Sequence, residues 1–277
     1  MACFWIGVKL GRCQNWGLSM VNAANLTLVW QLLRQDLRGR YAGTALGIFW
    51  LLAQPLFMLL VYALVFGEIL QLRLGTATDS SLFAAWLFAG LSVFNALAEV
   101  LTRAPAILTE RRELLLNSPL PAGLLPLLPV GSSVVLELLS VGLLLLWLCF
   151  QGQCHWQFVL FYPPFLLVRV LFSLAFAYAL AVLGVFLRDL RQMMPPLLTV
   201  LLLASPIVYP LSAVPERFYA WFAWNPLAQL VQGYRAALLD GAFQWEVFTA
   251  LALLACLLLA FALWLFQHLL ARARTVL

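Results

Sequence analysis

The stretch TALGIFWLLAQPLFMLLVYALVFG, residues 44–67, contains no charged residue and is apolar over nearly its whole length. A helix that crosses the hydrocarbon core of a membrane needs about 20 consecutive apolar residues. The run is continuous, whereas a strand of a membrane barrel would alternate between apolar and polar residues. We therefore predict a transmembrane helix near residues 44–67.

Apolar stretches with at most one charged residue recur along the rest of the chain. They predict further transmembrane helices near residues 82–102, 122–148, 158–187, 193–210 and 246–270. The 277-residue chain is 65% hydrophobic and only 10% charged, whereas about a quarter of the residues in a soluble domain are charged. The sequence thus predicts an all-α integral membrane protein with six transmembrane helices.

The basic residues are distributed unevenly between the two sides of this predicted bundle. One side, which includes both ends of the chain, carries Lys9, Arg12, Arg34, Arg38, Arg40, Arg103, Arg111, Arg112, Arg188, Arg191, Arg272 and Arg274. The opposite loops carry Arg73, Arg217 and Arg235. Because cytoplasmic loops are enriched in Lys and Arg, we predict that both termini are cytoplasmic. The net charge of +5 follows from this asymmetry and does not indicate nucleic-acid binding.

The residues before the first predicted span divide into two parts. Residues 1–21 lack the sustained apolar core of a signal peptide, so we expect a poorly ordered cytoplasmic tail. Residues 22–40 predict an amphipathic helix on the inner membrane surface, with Leu26, Val29, Trp30 and Leu33 opposite Gln35, Asp36 and Arg38. A helix that packs directly on the bundle is the alternative. Residues 41–277 then form the transmembrane domain.

The predicted inner loop, residues 103–118, mixes charged residues with the features of a short helix. It is either a solvated connector or a helix that docks on a cytoplasmic partner. In the second case the contact residues are Arg111, Arg112, Glu113 and Leu114.

The segment SPIVYPLSAVPERFYAWFAWNP, residues 205–226, is too interrupted by proline for one spanning helix and too apolar for a solvated loop. Irregular backbone at membrane depth must lie inside protein or line a wet cavity. Pro206 and Pro210 end the fifth predicted helix, and Pro215 and Pro226 can each begin a short one. The segment also carries aromatic rings that either anchor at the lipid interface or stack on sugars, namely Tyr209, Phe218, Tyr219, Trp221, Phe222 and Trp224.

The sequence contains no motif of an enzyme or of a metal site. It lacks GxxxxGK[ST], HExxH, CxxC and GxSxG, and its single lysine is Lys9. We therefore expect no catalytic residue, no metal and no cofactor in this chain. Energy for any uphill transport must enter through another chain or through an ion gradient.

Three ordered stretches resemble the type 2 ABC exporter permeases for polysaccharides. The first is LLRQDLRGRYAGTALGIFWLLAQPLFMLLVYALVFGEI, residues 32–69, and the second is GVFLRDLRQMMPPLL, residues 184–198. The third is SPIVYPLSAVPERFYAWFAWNPLAQLVQGYRAALLDG, residues 205–241. Together they extend over most of residues 32–241, although the part between 103 and 160 matches weakly.

The resemblance implies a homodimer of six-helix permease subunits, paired with two soluble ATP-binding cassette subunits that hold ATP and Mg²⁺. Such complexes move glycans linked to undecaprenyl diphosphate or another lipid outward across the bacterial cytoplasmic membrane. Their cargo includes O-antigen, capsule and teichoic acid. The resemblance also implies that the segment 211–241 forms short re-entrant helices that act as an external gate.

Two sets of residues are candidates for contact with such a substrate. Arg34, Arg38 and Arg40 lie at the predicted inner mouth and could hold a phosphate, or they could merely follow the bias towards basic inner loops. The rings of the first span lie on one helical face and either line the channel or pack in the core; these are Trp50, Phe57, Tyr62 and Phe66.

Glu137 and Arg169 are charged residues inside the third and fourth predicted spans. Each lies about 11 residues from the external end of its span, so both are ~16 Å below the external surface. The two spans are antiparallel and joined by a short turn, which predicts a buried ion pair. The alternative is that Arg169 faces the channel and meets a phosphate.

Other functions remain compatible with parts of this pattern. An exporter of a lipid or drug would have the same six helices. An ion-coupled carrier would need carboxylates along a path, for which Glu99 and Glu137 are available, but no inverted repeat is evident. An enzyme acting on lipid-linked sugars would need a cluster of acids or histidines, which the sequence does not show.

Overall fold

The structure is a computed structural model that describes residues 23–40, 42–69, 80–117, 121–153, 155–210 and 214–276. The predicted tail, residues 1–21, lies outside the described residues. Within these ranges the chain forms helices and no strand, so the all-helical prediction is confirmed for this part of the chain.

The described α-helices follow one another in a simple order. They are α1 Ala23–Arg40, α2 Trp50–Tyr62, α3 Ser80–Arg103, α4 Ile107–Glu110, α5 Arg112–Asn117, α6 Leu127–Phe150, α7 Phe158–Phe186, α8 Leu190–Ala204, α9 Tyr219–Trp224, α10 Pro226–Arg235 and α11 Trp245–Val276. Short 3-10 turns join several of them, and π-helical turns extend α2 and α10, at Ala63–Ile69 and Ala236–Asp240.

Five helical segments in the described part of the chain are long and apolar enough to cross a membrane. They are Gly47–Phe66, Leu82–Glu110, Ala122–Phe150, Phe158–Phe186 and Trp245–Ala273. Each corresponds to one predicted span.

The predicted span near 193–210 differs from the structure. Its counterpart is α8, which is apolar but has 15 residues and ends at Ala204. At 1.5 Å per residue it is about 22 Å long, which is less than the ~30 Å hydrocarbon core. Ser205 leaves the helix with an extended backbone, φ −116° and ψ 141°, because a residue before proline is disfavoured in the helical region.

The core of the bundle lies around α3. In the most apolar part of that helix 78% of the residues are buried, whereas only 11% are buried in the corresponding part of α2 and 17% in that of α11. α3 packs on α2, α6, α7 and α10, and α7 runs along α11. α2 and α11 therefore turn broad apolar faces outward.

The backbones approach each other closely where α7 crosses the turn Ala104–Ala106. A Cβ atom at Gly184 of α7 would overlap the backbone of Pro105. A backbone cannot move aside as a flexible side chain can, so this crossing requires glycine.

We expect the Gly184→Ala variant to lose about 1–3 kcal/mol of stability, because the added methyl group forces α7 away from that turn. Thermal unfolding in detergent micelles measures the loss. Gly142→Ala in α6 is the matched control, since a Cβ there has no neighbour within 4 Å and alanine favours helix. Equal melting temperatures for the two variants would contradict the close approach.

Candidate functional site

Charged side chains join three helices at one end of the bundle. Arg103 of α3 donates from Nη2 to both carboxylate oxygens of Asp36 in α1, at 2.7 and 2.8 Å. Arg40 of α1 pairs with Glu99 of α3. Both arginines donate to the hydroxyl of Ser132 in α6, at 2.8 Å from Arg40 and 2.9 Å from Arg103. We call these five residues the basic-end cluster, and the end of the bundle where they lie the basic end.

Of the three arginines predicted to contact a phosphate, only Arg40 belongs to the basic-end cluster. Arg40 is held by Glu99 and lies 3.6 Å from Asp36, so its guanidinium group is already paired with two carboxylates. Arg34 and Arg38 are exposed and line a shallow depression of about 370 Å³ on α1. Of the three, these two present an exposed guanidinium group.

The environment of α1 differs from that of a helix lying only on the membrane surface. The sequence places Asp36 on its polar face, but the structure buries this carboxylate because Arg103 pairs with it. Leu33 is also buried, and its methyl groups lie directly over Gly131 of α6. α1 therefore packs on the bundle through this face, while Trp30 stays exposed.

The predicted coupling loop is tied to two other elements. Arg111 Nη2 lies 3.5 Å from Asp36 Oδ1 of α1. At the surface, Glu110 Oε1 lies 2.9 Å from Nη1 of Arg191, which is in the first turn of α8. The other predicted coupling residues differ in exposure: Arg112 and Glu113 are exposed, and Leu114 is half-buried. A displacement of this loop would thus act on both α1 and α8.

A second polar cluster is fully buried between α6, α7 and α10. Arg169 pairs with Glu137, as the depth argument predicts, and Arg169 Nη1 donates to Ser133 Oγ at 2.9 Å. Tyr234 of α10 donates its hydroxyl to Glu137 Oε1 at 2.7 Å. We call Glu137, Arg169, Ser133 and Tyr234 the buried charge cluster. Arg169 is 0% exposed, which leaves it no open face toward a substrate in this arrangement.

The four rings predicted to line a channel along the first span divide into two pairs. Trp50 and Phe57 are exposed on α2. Tyr62 and Phe66 are half-buried and turn toward α3, where Tyr62 packs on Phe88 with ring centroids 6.5 Å apart. The predicted single lining face is therefore half exposed and half packed in the bundle.

The proline-rich segment contains α9, and α10 begins at its last residue, Pro226. Tyr209 donates to Leu203 O at 2.7 Å and packs edge-on against Phe222. Trp221 and Trp224 are largely exposed. The side chains of Phe218 and Tyr219 lie outside the described residues.

Two residues that the sequence analysis did not select hold this segment in place. Asn225 caps α10 by accepting from Leu227 N at 3.0 Å, and its Nδ2 donates to Ser205 Oγ at 2.9 Å. Arg235 donates to Pro206 O at 3.2 Å and to Ile207 O at 2.7 Å. We call Asn225 and Arg235 the latch, because each joins α10 to the chain just after α8.

Arg235 is itself held by α3. Its guanidinium carbon lies 3.3 Å from the centre of the Trp86 ring, and its Nε donates to Trp86 O at 3.1 Å. The distribution of basic residues along the sequence places Arg235 in an outer loop, but its side chain is buried inside the bundle. The signal that could have revealed both latch residues is their position in the third resembling stretch.

Among the described residues, no three His, Cys, Asp or Glu side chains come together in a way that could hold a metal ion.

Comparison with known proteins agrees with this architecture. The ABC-2 type transporter family matches residues 27–239. The O-antigen export system permease protein RfbA of Myxococcus xanthus is 29% identical over 211 residues, which are 76% of this chain and 79% of that protein. A protein of the same name from Klebsiella pneumoniae is 22% identical over 250 residues, 88% of this chain and 94% of that protein.

The polysialic acid transport protein KpsM of Escherichia coli is 25% identical over 215 residues, 76% of this chain and 80% of that protein. The resemblance read from the three stretches is thereby confirmed. Since the family match covers most of its length, this multi-pass membrane protein belongs to the ABC-2 type transporter family.

Proposed function

We propose that the chain is the channel-forming subunit of an ATP-driven exporter that moves lipid-linked polysaccharide outward across the bacterial cytoplasmic membrane. The observation that carries this proposal is the similarity, over three quarters or more of the chain, to proteins named for O-antigen export and polysialic acid transport. The basic end faces the cytoplasm in this proposal, because basic residues favour the inner side.

A sixth crossing is part of the proposal. α8 is too short to span by itself, but the chain continues beyond it through Ser205, Pro206 and Ile207, all of which are buried. α10 then enters the bundle far enough for Tyr234 to reach Glu137. Together α8, α9 and α10 form a crossing followed by a re-entrant gate at the external end.

The active unit is a homodimer with the channel between the two copies. The broad exposed face of α2, which includes Trp50 and Phe57, and the exposed face of α8, with Met193 and Leu197, support this arrangement. These surfaces are apolar and uncharged, so a polymer that must slide meets aromatic faces and no strong charged site.

Two ATP-binding cassette subunits, which hold ATP and Mg²⁺, supply the energy. They dock on the loop 103–118 at the basic end, where Arg112 and Glu113 are exposed. Arg34 and Arg38 bind the diphosphate of the lipid carrier, because exposed guanidinium groups bind phosphate oxygens in pairs.

We expect the purified chain to hydrolyse no ATP by itself and to co-purify with an ATP-binding subunit when the two are expressed together. Inverted membrane vesicles that contain both should take up lipid-linked polysaccharide only when ATP is added. ATP hydrolysis by the chain without a partner contradicts the proposal. ATP-driven uptake of a lipid or drug but no glycan would favour the related exporter, and uptake driven by an ion gradient would favour a carrier.

A further inference from the structure

A polar cleft lies within one subunit, between α2, α3 and α6. It has a volume of about 390 Å³, within the ~300–1,000 Å³ range of small-molecule sites. Its lining includes Gln54 of α2, Asn95 of α3 and Ser140 of α6. This cleft is separate from the exposed rings of α2 and from the depression beside Arg34 and Arg38.

The polar residues of the cleft form a stripe along an otherwise apolar helix. Ser92, Asn95, Glu99 and Thr102 recur every three or four residues along α3 and all line the cleft. Such spacing places side chains on one face of a helix. The stripe therefore runs from the basic end into the membrane-spanning part of α3.

Two amides in the cleft have no hydrogen-bond partner among the described residues. Gln54 and Asn95 are both exposed and both line the cleft. The hydroxyls of Ser92 and Thr102, by contrast, already donate to their own helix, to Ala89 O at 2.8 Å and to Ala98 O at 2.9 Å. An unsatisfied amide is unfavourable in hydrocarbon, so the two amides require a polar occupant.

The chemistry of the cleft selects an uncharged occupant. Glu99 supplies its only carboxylate near the basic end, and both Arg40 and Arg103 pair with that group. Glu137, which also lines the cleft, forms an ion pair with Arg169. No cationic side chain lines the cleft within the described ranges, so a phosphate has no counter-ion there.

Aromatic rings complete the site. Tyr62 and Phe88 line the cleft and pack edge to face on each other. Amide groups donate and accept hydrogen bonds, and aromatic rings cover apolar C–H faces. A ligand with many hydroxyl groups matches this combination. A sugar ring has both features.

We propose that this cleft binds one uncharged, hydroxyl-rich headgroup, with Gln54 and Asn95 exchanging hydrogen bonds with its hydroxyls. The assignment of that headgroup to a sugar of the exported glycan rests on the proposed function. The glycerol headgroup of a membrane lipid has the same chemistry and is distinguished by experiment.

The test uses the full chain in nanodiscs of phosphatidylcholine that contain a small fraction of either glucosyl-dioleoylglycerol or monooleoylglycerol, both of which are uncharged. Native mass spectrometry measures how many chains retain each lipid. We expect Gln54→Leu and Asn95→Leu to lower retention of the glucosyl lipid about fivefold or more, because each removes hydrogen bonds to the headgroup. Gln267→Leu is the matched control, since this exposed glutamine lies on α11, outside the cleft.

The outcomes separate the possibilities. Loss of the glucosyl lipid with retention of monooleoylglycerol supports a sugar site, and equal loss of both lipids supports the site with glycerol as its ligand. No retention in the unmodified chain, or the same retention in all three variants, means that only water fills the cleft and overturns the proposal. Vesicle uptake of polysaccharide is measured separately, so its failure rejects the proposed function without affecting these results.

Discussion

Replacing Glu137 by glutamine or Arg169 by methionine is expected to lower the free energy of unfolding by about 3–5 kcal/mol. Both side chains are almost completely buried, and each single change leaves the other charge unpaired inside the bundle, which is strongly destabilising. The loss should be larger for Arg169→Met than for loss of the ion pair alone, because Ser133 and Ser173 also lose a donor. Unfolding in mixed micelles, followed by circular dichroism, measures these values.

The double variant separates the ion pair from a role in the substrate path. When both charges are removed together, no unpaired charge remains, and much of the lost stability should return. Glu110→Gln is the matched control, because it breaks the exposed pair with Arg191 and should cost less than about 1 kcal/mol. If both single variants stay stable and only Arg169→Met stops export, the ion pair is not structural and Arg169 belongs to the substrate path.

The long helices were predictable because the local sequence of each one is sufficient to identify it. A long apolar run with at most one charged residue has few alternatives to a spanning helix, and five predicted spans have counterparts in the structure. The end of α8 could also have been predicted, since Ser205 precedes a proline. The apolar residues after Ser205 instead extended the predicted span to residue 210.

The side-chain contacts were predictable only where the chain itself limits the geometry. Glu137 and Arg169 lie on helices joined by a short turn, so equal depth was enough to bring them together. Asp36 and Arg103 are far apart in the sequence, and nothing local indicates that they meet. Tyr234 was missed for the same reason, because its partner Glu137 lies 97 residues away.

Arg235 shows how a rule about charges can misplace a residue. Counting it with the outer loops treats its charge as solvated, whereas three backbone carbonyls and the Trp86 ring surround it. Two of those carbonyls, of Pro206 and Ile207, belong to the irregular backbone that follows α8. The arginine therefore supplies a donor to buried carbonyls that lie outside regular helix.

Arg235→Met is expected to release the latch and to lower the free energy of unfolding by about 3 kcal/mol or more. The change leaves the carbonyls of Pro206 and Ile207 without their donor, and each unsatisfied group costs about 1–3 kcal/mol. Arg235→Lys should recover little of this loss, because a single ammonium group cannot reach positions fixed by a planar guanidinium.

Gly90→Ala provides an independent test of the same latch, since a Cβ at Gly90 would overlap the Arg235 guanidinium and lie 3.2 Å from Val231 Cγ1. It should destabilise in the same direction, although less.

Arg188→Met is the matched control for Arg235→Met, because Arg188 is exposed in the turn between α7 and α8. We also expect Arg235→Met to make the resting membrane leak ions, as the proposed gate loses its attachment to α3. If Arg235→Met had the same melting temperature as Arg188→Met and its membrane stayed tight to ions, α10 would be held in place without the latch.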